Sequence, residues 1–373
     1  MQNKKILELC LSQDLGGLEL YMVRASQFLH KKTDVISVIN VNGKLEQYYK
    51  NSSYRYEKIK RSSTISSFLS AKRLARIIDK NKIDIVHLHW TKDISVAVLA
   101  KKLSTCKPKL VQTRNMTMTR FKDDFYHRWL YKNMDMMLAV THQVKEQIER
   151  FVPQDICPKV EVLYMGADMP ELATDEEKET LKKQYGLSDA FTVGIVGRIE
   201  EGKGQYLVID AVKKLLGEGL HVQALIVGHA MNERYLESLK DGIKKDHLED
   251  KIIFSGFTRE AQKLMQIFDC LVLATDRETF GLVLIEAMAC EICTIGTNNA
   301  GPLEIIDEAK NGLLFEQGNS GDLAKKIELL AKDESLKHNL AQAGKLKAKE
   351  MFDSEKQFEK LYTILENLNY IRA

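Results

Sequence analysis

One feature constrains this chain more than any other: a pattern runs once and then restarts. Short apolar runs of strand length alternate with amphipathic stretches of helix length. The first set lies at 5–10, 34–39, 84–89, 109–113, 136–140 and 159–164. The second lies at 191–197, 222–228, 251–256, 269–275, 293–297 and 312–315. Such alternation predicts α/β architecture built on parallel sheets. The intervening stretches have helical spacing. In FLSAKRLARIID, 68–79, apolar residues recur at steps of three and four and basic ones take the other face. Between the two sets, Thr174 followed by Glu177 reads as a capping box opening an acidic helix. The tail, 354–371, reads as a last amphipathic helix with no strand after it, so its apolar stripe must pack on something already built.

A chain of 373 residues with this restart predicts two doubly wound domains. The expected boundaries are 1–168 and 169–353, with 354–373 as a helix returning to the first domain. In open α/β sheets, ligands sit at the carboxyl ends of strands. With two such sheets, the expected site is the cleft between them, built from loops that follow strands.

Three of those loops carry chemistry. SQDLGG places Gly16 and Gly17 between the first strand and a helix start, where a backbone can approach a ligand closely. G-x-G-x-x-G is absent, which weighs against a dinucleotide oxidoreductase. GRIEEGKG, from Gly197, nearly spells a P-loop, but Gly204 stands where the Mg²⁺-binding hydroxyl belongs. Arg198 and Lys203 on this loop are expected to hold a diphosphate, as a planar fork and a point charge. The third loop, DRETFGLVLIEAMA, carries Glu278 and Glu286 about a helix start expected near Phe280. Backbone N–H groups of Phe280, Gly281, Leu282 and Val283 would face an anion there. The carboxylates suit sugar hydroxyls.

Together these motifs resemble the retaining family-4 glycosyltransferases. The E-x-F-G-L-x-x-x-E-A-M-A segment, the G-R-x-x-x-x-K-G loop, NNAGPLEIIDEAKNGLLF and KVEVLYMGAD all fit the resemblance. It covers nearly the whole chain and is strongest over 160–320. It implies a GT-B fold, with the acceptor held mainly by the first domain and a nucleotide-diphosphate sugar by the second; the donor expected here is UDP-linked. Arg198 and Lys203 would stabilise the leaving diphosphate. Glu278 would bind the transferred sugar and Glu286 the ribose. Gly16, Gly17 and Gly197 would give room for the donor, and Phe257 would border the nucleobase. The resemblance implies no metal and no cofactor, the nucleotide sugar being a substrate.

One position departs from the family pattern. Where many relatives carry His in T-x-H, this chain has Asn115, which puts a side-chain base there in doubt. His89 in DIVHLHW is the acceptor-site candidate of the first domain, with a hydrogen-bonded structural role the rival reading. Arg114 and Arg120, with Lys122, make the next loop basic and would suit an anionic acceptor.

Charge supports that placement. Residues 1–170 hold 29 Lys and Arg against 17 Asp and Glu, whereas the remainder holds 26 against 35. A basic first domain suits anionic lipid surfaces, lipid pyrophosphates or acidic glycans. No aromatic-interleaved basic motif points to nucleic acid. The six cysteines sit mostly in apolar runs, and Cys290 with Cys293 lacks a second pair at zinc spacing, so buried thiols are expected. The short run near the N-terminus carries Glu8, which argues against a signal peptide. The expected setting is the cytoplasm, with peripheral contact to the inner membrane through the basic domain and the 68–79 helix. The expected role is transfer to a glycan or lipid-linked glycan in surface polysaccharide assembly. A sugar-nucleotide 2-epimerase and a non-catalytic sugar-binding module remain as alternatives.

Overall fold

The computed structural model describes residues 3–61 and 67–368. The last residues of the expected terminal helix, 369–371, lie outside the described residues. The chain forms two compact units, one comprising the chain up to Met165 together with that from Glu355 onward, the other Gly166–Ser354.

The first unit is built on a parallel sheet of seven strands. In chain order they are β1 (Ile6–Cys10), β2 (Val35–Asn40), β3 (Tyr56–Ile59), β4 (Ile85–Leu88), β5 (Lys109–Arg114), β6 (Met136–Ala139) and β7 (Lys159–Val162). Their spatial order is β3-β2-β1-β4-β5-β6-β7, so the winding reverses between β1 and β4. Sequence periodicity misses β3. It is an edge strand, and Tyr56-Glu57-Lys58 leave only Ile59 fully buried, so the apolar run that marks the other strands is absent.

Alternation along β1 sorts its residues between two faces. Leu7, Leu9 and Leu11 join one core with Leu74, Ile78, Val96 and Ala100 of the helices Ser67–Asn81 and Ile94–Leu103. Cys10 joins the opposite core with Met22 and Val23 of the helix Gly17–His30. Glu8 therefore lies on the second face, in the interior. The terminal helix, Ser354–Glu366, belongs to this unit from Glu355 on. Phe358 packs 5.5 Å from the Tyr21 ring, Leu361 and Leu365 are buried, and Lys4 Nζ donates to the carbonyls of Leu365, Glu366 and Leu368. A cation on the last carbonyls satisfies acceptors that the helix itself leaves open.

The second unit carries six parallel strands: β8 (Phe191–Val196), β9 (Val222–Val227), β10 (Ile252–Gly256), β11 (Cys270–Leu273), β12 (Cys293–Thr297) and β13 (Leu313–Phe315). The order β10-β9-β8-β11-β12-β13 reverses between β8 and β11. The loops after those two strands flank the switch point, where doubly wound sheets bind ligands.

Candidate functional site

In the second unit, the loop after β8 passes through Gly197 and Arg198 to a short turn, Glu201–Lys203, and then the helix Gln205–Gly217. Gln205 Nε2 donates to the Arg198 carbonyl at 2.9 Å and fixes this loop. Gly204 sits at φ +72°, and a Cβ there would stand 2.3 Å from the Ala274 carbonyl oxygen. No hydroxyl-bearing residue fits after Lys203. The near-P-loop is a different structure with its own steric requirement for glycine.

The loop after β11 is tied to that turn. Asp276 N donates to Gly202 O at 3.1 Å, and Gly301 N donates to Glu278 O at 3.1 Å. Glu278 is thus braced between the loops that follow β8 and β12. Its carboxylate lies 3.4 Å from Lys203 Nζ, and both side chains remain partly open to solvent. Arg198 reaches 3.0 Å from Glu200 and is 53% exposed. The helix Leu282–Ala289 begins two residues later than the expected start at Phe280, with Gly281 as its cap in the left-handed region. Glu286 is therefore about one turn into the helix rather than two, and half-buried. Leu282 and Val283 occupy the first turn, whose N–H groups have no acceptor within the helix. The Phe280 ring is buried and meets Phe352 at 5.9 Å, so its side chain serves the core. Phe257, after β10, is exposed and lies edge-on to His229, 5.8 Å away, after β9. Gly197 comes so close to Gly228 that a Cβ on the latter would meet its carbonyl oxygen at 1.7 Å.

In the first unit, Gly16 has an extended backbone that any residue adopts, and a Cβ on Gly17 would meet nothing within 4 Å. Neither strain nor packing among the described residues asks for glycine at Gly17. The surroundings of His89 are those of the rival reading, a hydrogen-bonded structural role. His89 is only 1% exposed, its Nε2 hydrogen-bonds the Glu8 carboxylate, and its ring lies tilted against that of His87, 4.4 Å between centroids. His87 completes the network, with Nδ1 3.0 Å from Glu8 Oε1 and Nε2 2.7 Å from the Thr113 hydroxyl. Burial pushes the Glu8 carboxyl up, but His87 and His89 override it and hold it at about 2. Burial and then the neighbouring His87 push His89 down to about 4. The three donor atoms lie within 4.8 Å of one another, a spacing a cation also tolerates. The carboxylate already bonds both rings, whereas His89 Nδ1 is buried without a hydrogen-bond partner.

Sequence reading used Glu8 only as an argument against a signal peptide. A carboxylate inside an apolar parallel strand was itself the signal, since burial of a charge demands a partner.

Asn115 has both amide atoms buried without a hydrogen-bond partner. Arg114, at the end of β5, is buried, whereas Arg120 is exposed. The helix Ser67–Asn81 spends its apolar stripe on the core and exposes only Phe68 and Leu69 as large apolar groups. The more prominent apolar exposure is Met116, Phe121, Phe125 and Tyr126, in and just after the basic loop. Among the described residues no helix is long and apolar enough to cross a membrane.

Two doubly wound parallel-sheet units, one with cationic and acidic side chains converging at its switch point, define a class of two-domain Rossmann-like proteins. Residues 177–347 match the model for glycosyl transferases group 1, and residues 8–144 match that for glycosyl transferase 4-like proteins. The chain belongs to the group 1, family-4 glycosyltransferases of GT-B fold. Among its relatives is an N-acetyl-alpha-D-glucosaminyl L-malate synthase of Bacillus anthracis, 28% identical over 78% of this chain and 77% of that protein. Another is the capsular polysaccharide biosynthesis glycosyltransferase CapM of Staphylococcus aureus, 25% identical over 97% of this chain and 96% of that one. The solved structure of Anabaena Alr3699/HepE in complex with UDP superposes with a TM-score of 0.85 at 20% identity, covering 98% and 99% of the two chains.

Proposed function

We propose that this glycosyltransferase moves a sugar from a UDP-linked donor to a hydroxyl of a glycan or lipid-linked glycan, with retention at the anomeric carbon. The observation that carries the reading is the approach of Lys203 to Glu278 at the switch point of the second unit, 3.4 Å apart. A cation for phosphate and a carboxylate for sugar hydroxyls stand side by side there. The relatives' names support the direction: one belongs to capsular polysaccharide synthesis, and the Anabaena neighbour holds UDP.

In this reading the donor diphosphate lies over the loop of Arg198 and Lys203 and the first turn of Leu282–Ala289. Glu278 accepts hydrogen bonds from the transferred sugar, and Glu286 from the ribose. Phe257 borders the base. The bond from the anomeric carbon to the diphosphate oxygen breaks while the acceptor oxygen attacks from the same side. The acceptor proton passes to the departing diphosphate. Negative charge grows on that oxygen, and Arg198, Lys203 and the helix N–H groups stabilise it as it develops. Charge is supplied by these groups, so the reading invokes neither metal nor cofactor. Asn115, where many relatives carry His, supplies no base, in keeping with transfer of the acceptor proton to the departing diphosphate. The protein would act in the cytoplasm against the anionic inner membrane surface, through the loop bearing Phe121 and Phe125.

Incubation with a panel of nucleotide sugars and a glycan acceptor tests this, with donor binding read as a thermal shift and product configuration by NMR. Glu278→Gln is expected to lower transfer about a hundredfold or more while UDP still binds. Full turnover in that variant, or an inverted product, overturns the assignment.

A further inference from the structure

The first unit holds a positive charge that no carboxylate among the described residues answers. Arg114 is 5% exposed. Its guanidinium donates to Thr117 O at 2.9 Å and reaches Thr91 Oγ1 at 3.4 Å, and its Nε has no partner. No carboxylate pairs with it among the described residues. Alternation along β5 explains the isolation. Thr113 turns to the face of Glu8 and His87, while Gln112 and Arg114 turn to the other, toward Thr91. A buried guanidinium without a counter-charge is costly, so a fold that keeps one points to a ligand that supplies it.

Arg114 borders a cavity of about 160 Å³ whose wall also carries Lys122, Lys92, Thr91, Ser95 and Tyr126. No Asp or Glu lines it. The acidic neighbours in sequence are engaged elsewhere: Asp93 accepts from Leu11 N and faces Arg61, Asp123 pairs with Arg128, and Asp124 accepts both backbone and ring hydrogen bonds from His127. Burial lowers the pKa of Lys122, and the neighbouring Arg114 charge lowers it further. The space is smaller than the ~300–1,000 Å³ of sites that enclose a whole ligand. It suits one head group. Three cations and several hydroxyls are more than a single carboxylate would match, and they fit a dianion with several acceptor oxygens.

We propose that this cavity is a phosphate-binding site of the first unit, in which the Arg114 fork and Lys122 hold the phosphate of a phosphorylated acceptor. Calling that ligand the acceptor rests on the glycosyltransferase reading, whereas the phosphate site itself does not. The phosphate belongs either to a soluble phosphorylated sugar or to a lipid head group, and exposed Phe121 and Phe125 beside Lys122 give the second source an apolar neighbour.

The test uses the full chain carrying Arg198→Met and Lys203→Met, which disables the other phosphate-facing loop. Inorganic phosphate is titrated calorimetrically at low ionic strength, and vesicles of phosphatidylglycerol are compared with vesicles of phosphatidylcholine. Saturable phosphate binding is expected, weakened at least about tenfold by Arg114→Met and by Lys122→Gln, with Arg114→Lys between them and wild type because the fork is lost but the charge stays. Lys122 is half-exposed, so its variant carries the test if Arg114→Met does not fold. Vesicle binding that depends on the same two residues assigns a lipid-borne phosphate, and dependence with inorganic phosphate alone assigns a soluble one. Phosphate affinity that is absent, or unchanged in both Lys122→Gln and Arg114→Lys, overturns the proposal. Failure of the glycosyltransferase reading looks different: no turnover with any nucleotide sugar, while Arg114-dependent phosphate binding persists.

Discussion

Lys203 Nζ lies 3.4 Å from Glu278 Oε2, although 75 residues separate them in the chain. The turn that carries the lysine is bonded through Gly202 to the loop that carries the carboxylate, so the approach is built into the backbone. If both serve one transition state, Lys203→Met and Glu278→Gln each lower kcat/KM about a hundredfold or more. Because the side chains touch, the double variant should lose less than the product of the single losses. Steady-state rates of the four proteins check this. Full additivity would mean that the two groups act independently.

Gly204→Ser restores the P-loop hydroxyl on paper and should fail in the protein. The left-handed backbone alone costs about 1–2 kcal/mol, and the Cβ would clash with the Ala274 carbonyl. The expected result is a lower melting temperature and weaker donor binding, with no gain of Mg²⁺-dependent ATP hydrolysis. A variant as stable as the parent would show that the 203–204 turn relaxes more freely than its geometry indicates.

Gly17→Ala probes the opposite case. Its Cβ has open space, so the fold should be unaffected or slightly stabilised at this helix start. If the glycine exists to let a donor come close, KM for the nucleotide sugar rises while the melting temperature does not fall. Unchanged kinetics would remove Gly17 from the site.

The pH dependence of stability should carry two opposed contributions from the first unit. Burial pushes the Asp93 carboxyl up to about 7, against partial relief from the Leu11 N–H and Arg61. Between about 4 and 7 the folded chain keeps a proton that the unfolded chain releases, so this group makes stability fall as pH rises. His89, pushed down to about 4 from the ordinary 6.5, acts in the reverse sense, and its contribution rises over the same window. Asp93→Asn keeps an acceptor for Leu11 N and removes only the first contribution. The melting temperature of the variant relative to wild type should climb steadily between pH 4 and 7. A constant difference across that range contradicts the placement of Asp93's proton.

Phe125 is 88% exposed and Phe121, between Arg120 and Lys122, 67%. Phe121→Ser with Phe125→Ser should abolish flotation with anionic vesicles at low salt and leave transfer to a soluble acceptor intact. Retention of flotation would place any membrane contact elsewhere, with Phe68 and Leu69 the next surface to change.

Sequence periodicity found the strands of both sheets except β3: central strands buried on both faces are short apolar runs, and the edge strands β7 and β10 still carry apolar residues, as in KVEVLY and KIIFSG. The edge strand β3 escaped because its exposed side tolerates Glu57 and Lys58. The loop residues Arg198, Lys203, Glu278 and Glu286 were legible for a related reason: charged side chains clustered just past strand ends stand out against the runs that precede them. The start of the helix after Glu278 was misplaced by two residues, since only the backbone turn at Gly281 decides it.

Partners were not legible. From sequence His89 could be an acceptor-site residue or a hydrogen-bonded structural one, and only the pairing of β1 with β4 puts Glu8 beside His87 and within reach of His89. Arg114 looked like one basic residue among several, and only the sheet face it occupies leaves it buried with no counter-charge.

The amino-acid sequence by itself determined two doubly wound parallel sheets and the chemical types at their carboxyl ends, because hydrophobic periodicity and turn residues act over a few neighbouring positions. Tertiary structure decided which charges meet. Lys203 found Glu278, Glu8 found two imidazoles, and Arg114 found none. Strand order brings such groups together across long stretches of chain, and no local pattern of side chains encodes that order.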